Sequence, residues 1–251
     1  IYSIPVTVME TQAVKIWGLI LLIFLSVGII LWSWYRANHI KSLVLSINKT
    51  EIEIKEGDIF ATKGLKVIPF NEFFDTQVDN DLISDSSLNG QYITRFYKNP
   101  SDLETVIERN KHSTERIIEK GYEREEGKST RYALGTIVEN GEYLLLAFSH
   151  FDEKNRAFLS VQDYVTCLLR MWEECDILYN GRSIVLPLLG AGITRFRDHK
   201  EITDQELLET ILWSFKVSRL RLKASAKLTI LLTSATLKNV NLYAIMKRFT
   251  A

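Results

Sequence analysis

The sequence predicts an α/β domain, a mixed sheet covered by helices on both faces, carried behind one N-terminal transmembrane helix. Three observations lead there. A run of 20 residues without a charge, Ile16 to Tyr35, lies close to the N-terminus. Strand and helix patterns alternate in the second half of the chain, as parallel strands joined by right-handed crossovers require. Asn140-Gly141, between two apolar stretches, marks a hairpin and so adds antiparallel pairing.

The apolar run, IWGLILLIFLSVGIILWSWY, would span about 30 Å as a helix, the thickness of a bilayer's hydrocarbon core. Trp17 near one end and Trp32, Trp34 and Tyr35 at the other suit the lipid–water interface. A cleaved signal peptide would have a shorter core and a small-residue cleavage site, whereas this run continues into Trp-Ser-Trp-Tyr-Arg. Arg36, His39 and Lys41 follow it, against Lys15 and Glu10 before it, so the large domain is expected in the cytoplasm and the protein in the cell (inner) membrane. The expected division is an extramembrane segment or connector over 1–13, the membrane helix over 14–35, a juxtamembrane connector over 36–49 and the soluble domain over 50–251. A chain that starts at Ile1 is expected to continue upstream, with room for another membrane segment.

Composition narrows the partners. The 251 residues suit one sizeable domain plus an anchor. Lys+Arg and Asp+Glu both number 31, so the chain lacks the basic field that drives non-specific nucleic-acid binding, and no nucleic-acid partner is expected. Cys167 and Cys175 fall eight positions apart in one predicted helix, about 12 Å along its axis. That exceeds the reach of a disulfide, and no metal-ligand spacing accompanies them, so both are expected as reduced thiols and no metal is expected.

The elements follow in order. Leu43, Val44, Leu45 and Ile47 suggest that the connector packs on the domain. Glu51 to Lys55 alternates with period 2 and predicts a strand, and Lys66 to Phe70 a short buried one. Pro100-Ser101-Asp102 opens a helix expected to run to about Lys120 through Leu103, Ile107, Ile117 and Ile118. Arg131 to Val138 and Glu142 to Ser149 are the hairpin strands. Ser160 caps a helix to about Leu178 and Thr203 another to about Leu220. Ser183 to Leu189 is apolar throughout, as a strand buried on both faces must be. Lys227 to Ser234 is a strand, and Asn241 to Phe249 a closing helix.

Three segments concentrate chemistry. The strand at Leu186 runs into Leu189-Gly190-Ala191-Gly192-Ile193-Thr194-Arg195-Phe196. Glycines there let main-chain N–H groups approach an anion, at the strand end where open α/β sheets bind ligands. Arg195 can add a donor to a phosphate and Phe196 can stack on a sugar or base. Gly57-Asp58-Ile59 follows the first strand, and a carboxylate placed there accepts a hydrogen bond from an exocyclic amine such as adenine's. Asn71 ends the next strand, ahead of an aromatic cluster.

Taken together, strand then Gly-Asp-Ile, strand then Asn, and late strand then Gly-x-Gly-Ile-x-x-Phe resemble the macro domain, a three-layer α/β/α module that binds ADP-ribose. The resemblance covers about Thr50 to Thr250. It implies Asp58 reading the adenine amine with Ile59 beside it, Asn71 and Gly90 near the distal ribose, Gly190 to Arg195 around the diphosphate, and Phe196 on the distal ribose. Ile68 to Asp75, Ser87-Leu-Asn-Gly-Gln91 and the glycine loop, behind a membrane segment, are similar to the macro-domain effector of Thoeris, a bacterial anti-phage defence system. That likeness implies a TIR-domain partner that consumes NAD and releases an ADP-ribose-derived signal, a histidine-conjugated ADP-ribose in the transmembrane branch. The effector then self-associates as a homo-oligomer and compromises membrane lipid.

One departure bears on catalysis. Hydrolytic macro domains carry a Gly-Gly-Gly run after the Asn strand, and here Ser87-Leu88-Asn89-Gly90 stands in its place. Thr194 also occupies a position where an aromatic is frequent. His112, His150 and His199 are scattered, Asp79, Asp81 and Asp85 read as a solvated loop, and no nucleophile–base pair is apparent. The expectation is a sensor without catalytic residues or cofactor, with a membrane-tethered ADP-ribosyl hydrolase as the alternative.

Overall fold

The computed structural model describes residues 12–38, 40–192, 194–197 and 202–249, and of residues 12, 13 and 33–38 the backbone alone. The chain divides after Ile40 into two compact units. The first is helix α1 (Gln12–Asn38). Its stretch Val14–Trp32 is 19 residues long, has no buried share and is long and apolar enough to cross a membrane. At 1.5 Å per residue it spans about 28 Å. The segment expected outside the membrane over 1–13 therefore ends inside the helix, and residues 1–11 lie outside those described.

The second unit begins earlier than the sequence predicted. Residues 36–49, read as a connector, hold strand β1 (Ser42–Ile47), which pairs antiparallel with β2 (Thr50–Glu56) from Ser42↔Lys55 to Ile47↔Thr50. Leu43, Leu45 and Ile47 point inward and Ser42, Val44 and Ser46 outward, the two-residue period of a half-buried strand. Asn48 and Lys49, both at positive φ, make the tight turn that such a hairpin needs. Val44 among the leucines disguises the alternation.

The chain continues through β3 (Leu65–Asn71), α2 (Leu88–Phe96), α3 (Pro100–Arg109), α4 (Lys111–Thr114), β4 (Ile117–Glu119) and β5 (Arg131–Tyr132). Next come β6 (Ile137–Asn140), β7 (Tyr143–Phe151), β8 (Ala157–Leu159), α5 (Val161–Leu178), β9 (Ile184–Pro187) and β10 (Arg195–Phe196). It closes with α6 (Asp204–Val217), β11 (Lys227–Leu232), α7 (Ser234–Asn239) and α8 (Leu242–Phe249). The main sheet has the order β1-β2-β11-β9-β3-β7-β8-β10, with β6 also on β7. Its centre, β2-β11-β9-β3-β7, is parallel throughout, so five strands end on one rim. Antiparallel β1, β6 and β8 flank that centre. The Asn140-Gly141 hairpin forms as expected, with Asn140 opposite Tyr143 and Gly141 at φ +62°.

Two expected elements are broken. The helix from Pro100 stops at Arg109, because Asn110 leaves helical geometry and its side chain caps the short α4 by accepting from Ser113 N–H. Ile117 and Ile118, read as helix face, instead form β4 against β5. The strand expected over Arg131 to Val138 splits at Gly135, whose φ of +90° turns the chain between β5 and β6.

Helices α5 and α6 lie together on one face of the sheet, locked where Trp172 Nε1 donates to Ser214 Oγ at 2.9 Å and its ring meets Phe215 edge-on. Both start at the expected caps, Ser160 and Thr203, and each cap closes a capping box, with Asp163 and with Glu206. The opposite face buries Phe70, Phe74, Leu145, Ala147 and Leu231 against Tyr92 and Ile93 of α2 and Leu103 and Ile107 of α3. Each such fully buried side chain contributes about 1.5–3 kcal/mol. Cys167 and Cys175 are free and buried on α5, and burial pushes the Cys167 thiol up to about 12.

Candidate functional site

All five parallel strands deliver their C-terminal ends to one cavity of about 490 Å³. This is the crevice where doubly wound sheets bind ligands, and its volume suits a small molecule. Gly57, Asp58 and Ile59 line it from β2, Asn71 from β3, Ser149 and Phe151 from β7, Leu188 to Gly192 from β9, and Thr233 and Thr236 from β11. Leu88 and Asn89, the first turn of α2, complete the wall. A helix start presents unpaired N–H groups and the positive end of its dipole, both of which favour an anion.

The glycine loop is held main chain to main chain. Leu188 N–H donates to the Leu231 carbonyl at 3.0 Å, and Ala191 N–H turns back to the Leu188 carbonyl. The Leu189 carbonyl accepts from Tyr164 Oη at 2.9 Å, and burial pushes that phenol well above its ordinary range, so it stays a neutral donor. Gly190 has φ +91°, and a Cβ there would lie 3.1 Å from Leu207 and 3.4 Å from the Phe196 ring. Gly192 is exposed, and a Cβ there meets nothing within 4 Å. The loop is then drawn back by β10, which pairs parallel with β8 at Arg195↔Phe158 and Phe196↔Leu159.

The Asp58 carboxylate folds its own turn, with Oδ1 accepting from Phe60 N–H at 2.9 Å. Asn71 is buried and organises the turn after β3. Its Oδ1 accepts from Phe73 N–H and Asp75 N–H, and its Nδ2 donates to Asp75 Oδ2 at 2.8 Å. Asp75, fully buried, also takes Arg124 Nη1 and Lys128 N–H, each at 2.8 Å, while Arg124 Nη2 donates to Asn155 Oδ1. Next to it, Glu72 receives Arg131 Nε at 2.8 Å and His150 Nδ1 at 2.7 Å, and the Glu72 bond raises the guanidinium further. His112 and Arg116 both reach Glu174, away from the cavity.

Of the residues picked out by sequence, Asp58, Ile59, Asn71, Leu189, Gly190, Ala191, Gly192 and Thr194 come together on this cavity. Gly90 stands one step behind the wall: a Cβ there would be 2.1 Å from the Ser84 carbonyl, so its smallness lets the α2 turn close. Arg195 faces a smaller neighbouring cavity of about 200 Å³, beside Asn80, Asn155 and Arg156. The Phe196 ring stands edge-on to Tyr164, 5.5 Å away, beneath Gly190. Ile193 and His199 lie outside the described residues. Ser149, Phe151, Thr233 and Thr236 escaped the sequence reading, although each follows or ends a strand that the reading had placed. Among the described residues no group of His, Cys, Asp or Glu is arranged to hold a metal ion.

Comparison with known proteins agrees with this geometry. Residues 52–233 match the family model described as Thoeris protein ThsA, Macro domain. The chain is 41% identical over 229 residues to Thoeris protein ThsA of Bacillus amyloliquefaciens (strain Y2), covering 90% of this chain and 76% of that protein. An Oceanobacillus iheyensis macrodomain mutant with ADPR superposes with a TM-score of 0.52 at 11% identity, over 84% of this chain and 100% of its own. A second mutant of that macrodomain gives 0.52 at 12% identity, over 84% and 95%. At that identity the two structures speak for a macro-type fold alone, but the family match spans most of the domain and the whole rim of strand ends. The chain belongs to the Thoeris ThsA macro-domain family.

Proposed function

We propose that this protein is a membrane-anchored effector of anti-phage defence whose macro domain senses an ADP-ribose-derived signal. The single observation that carries the reading is the cavity at five parallel strand ends, with a glycine loop on one side and a helix start on the other. A macrodomain of the same fold solved with ADPR supports this reading. The diphosphate sits between the N–H groups of Gly190 and Gly192 and the first turn of α2. Asp58 keeps its second carboxylate oxygen for the adenine amine. Asn71 keeps one amide hydrogen for the distal ribose, since a primary amide has two and only one is given to Asp75. The large domain is cytoplasmic and α1 is the anchor.

The signal comes from a TIR-domain partner that consumes NAD and is histidine-linked ADP-ribose, and binding drives self-association and membrane disruption. A nucleotide that bound resting and associated states equally would shift nothing. Converting a 1:99 equilibrium into 99:1 needs about 5.5 kcal/mol of differential binding. A site shared between subunits, or closed by their contact, supplies such a difference.

Calorimetry of the full chain in detergent with ADP-ribose tests the site, alongside product analysis. The expected result is binding without turnover, and loss of at least tenfold in affinity for Gly192→Glu. That variant should keep the wild-type melting temperature, because its Cβ meets open space. Unchanged affinity in Gly192→Glu would place the ligand elsewhere, and release of product would turn the reading to an ADP-ribosyl hydrolase.

A further inference from the structure

The two edges of the sheet are built differently. At one end β10 has two residues, and its Arg195 is exposed. At the other end β1 has six, Ser-Leu-Val-Leu-Ser-Ile, without charge, proline or bulge. Helix α8 packs on the inner leucine face of β1, but among the described residues no backbone hydrogen bond reaches β1 from the side away from β2. Val44, at its middle, is 60% exposed. Soluble sheets guard a long edge with lysine, proline, a bulge or a covering element, because an open row of N–H and C=O groups pairs with another chain. Here the charges, Glu51, Glu53, Lys55 and Glu56, lie one strand further in.

We infer that β1 is the self-association edge of this domain, pairing antiparallel with β1 of a second copy. The inference rests on the self-association proposed above and names its surface. The strand is complementary to itself. Pairing centred on Val44 sets Ser42 of one copy opposite Ser46 of the other and Leu43 opposite Leu45. Residues directly opposite share a face, so the inner row of leucines continues across the junction and no like charges meet. Such a contact is isologous and closes as a dimer.

Cysteine trapping tests the edge directly, since both native thiols are buried. Full chains carrying Val44→Cys or, as a control on another exposed apolar side chain, Val217→Cys are oxidised in native membranes. Val44→Cys should give at least fivefold more disulfide-linked dimer than Val217→Cys, and equal or reversed yields overturn the inference. Val44→Lys puts two ammonium groups face to face at the centre of the pairing. It should bind ADP-ribose within threefold of wild type yet lose the dimer seen by light scattering in nanodiscs, while Val217→Lys keeps it. Dimerisation of Val44→Lys at wild-type level overturns the edge and leaves the sensor reading standing. Efficient trapping of Val44→Cys by a chain that binds no ADP-ribose supports the edge and removes the sensor reading.

Discussion

The two walls of the cavity are held by opposite means. Behind the β3 wall, Asn71 rests on Asp75, a fully buried carboxylate that also binds Arg124 and the Lys128 amide, and Arg124 stacks 4.2 Å from the Phe73 ring. The described hydrogen bonds of the β9 wall use no charged side chain. Its glycine loop hangs on main-chain bonds, the Tyr164 hydroxyl and a two-residue pairing with β8. The difference teaches where stability and recognition are placed. On the proposed reading, the ionic cluster fixes one amide donor for a ribose hydroxyl, and the glycine loop brings main-chain N–H groups close to a diphosphate.

Breaking each wall should therefore read out differently. The largest loss is expected for Asp75→Ala, which strands the Arg124 charge in the interior and frees the Asn71 amide. Removing one partner of a buried ion pair costs about 3–5 kcal/mol, visible as a lower urea midpoint at unchanged slope. A smaller loss is expected for Gly190→Val. A β-branched residue forced to φ +91° costs about 1–3 kcal/mol, and its side chain displaces Leu207 or Phe196. Affinity for ADP-ribose should fall more steeply in Gly190→Val than stability does. If Asp75→Ala proved the milder of the two in denaturation, the contrast between the walls would be wrong.

The legibility of the two walls differed as well. Periodicity and caps located α5, α6, β9 and β11, because a helix buried on one side and a strand buried on both leave regular patterns. The glycine loop was legible too, since only glycine makes such a turn and the strand before it was plain. The β3 wall was half legible: Asn71 could be singled out, but its partners Arg124 and Lys128 lie more than fifty residues away, and ion pairing leaves no local signal. Gly90 stands behind the cavity wall, and the Ser84 carbonyl that excludes a side chain there belongs to a loop with no regular pattern. Strand β1 was missed because Val44 fills a solvent-facing position with an apolar residue, which hides period 2.

The walls meet at the turn between β7 and β8, where the smallest effect is expected. Asn155 in that turn accepts from Arg124 of the β3 wall, and β8 after it carries β10 of the glycine loop. Asp152 folds the turn, with Oδ1 accepting from Lys154 N–H and Arg156 N–H and Oδ2 from Arg156 Nε at 2.9 Å. The Arg156 hydrogen bond, reinforced by these amides, holds the carboxyl at about 2 instead of its ordinary 3.8. A depressed acid stabilises the fold above its ordinary value and loses that contribution as pH falls through the folded one. Because Arg156 is more than half exposed, solvent screening leaves about 0.5 kcal/mol. Wild type should thus exceed Asp152→Asn by that amount at pH 6, and the gap should close between about pH 4 and pH 2 in urea titrations at each pH. A gap that stays constant down to pH 2 would mean that the turn is held by shape alone, and that the two walls are joined without any help from charge.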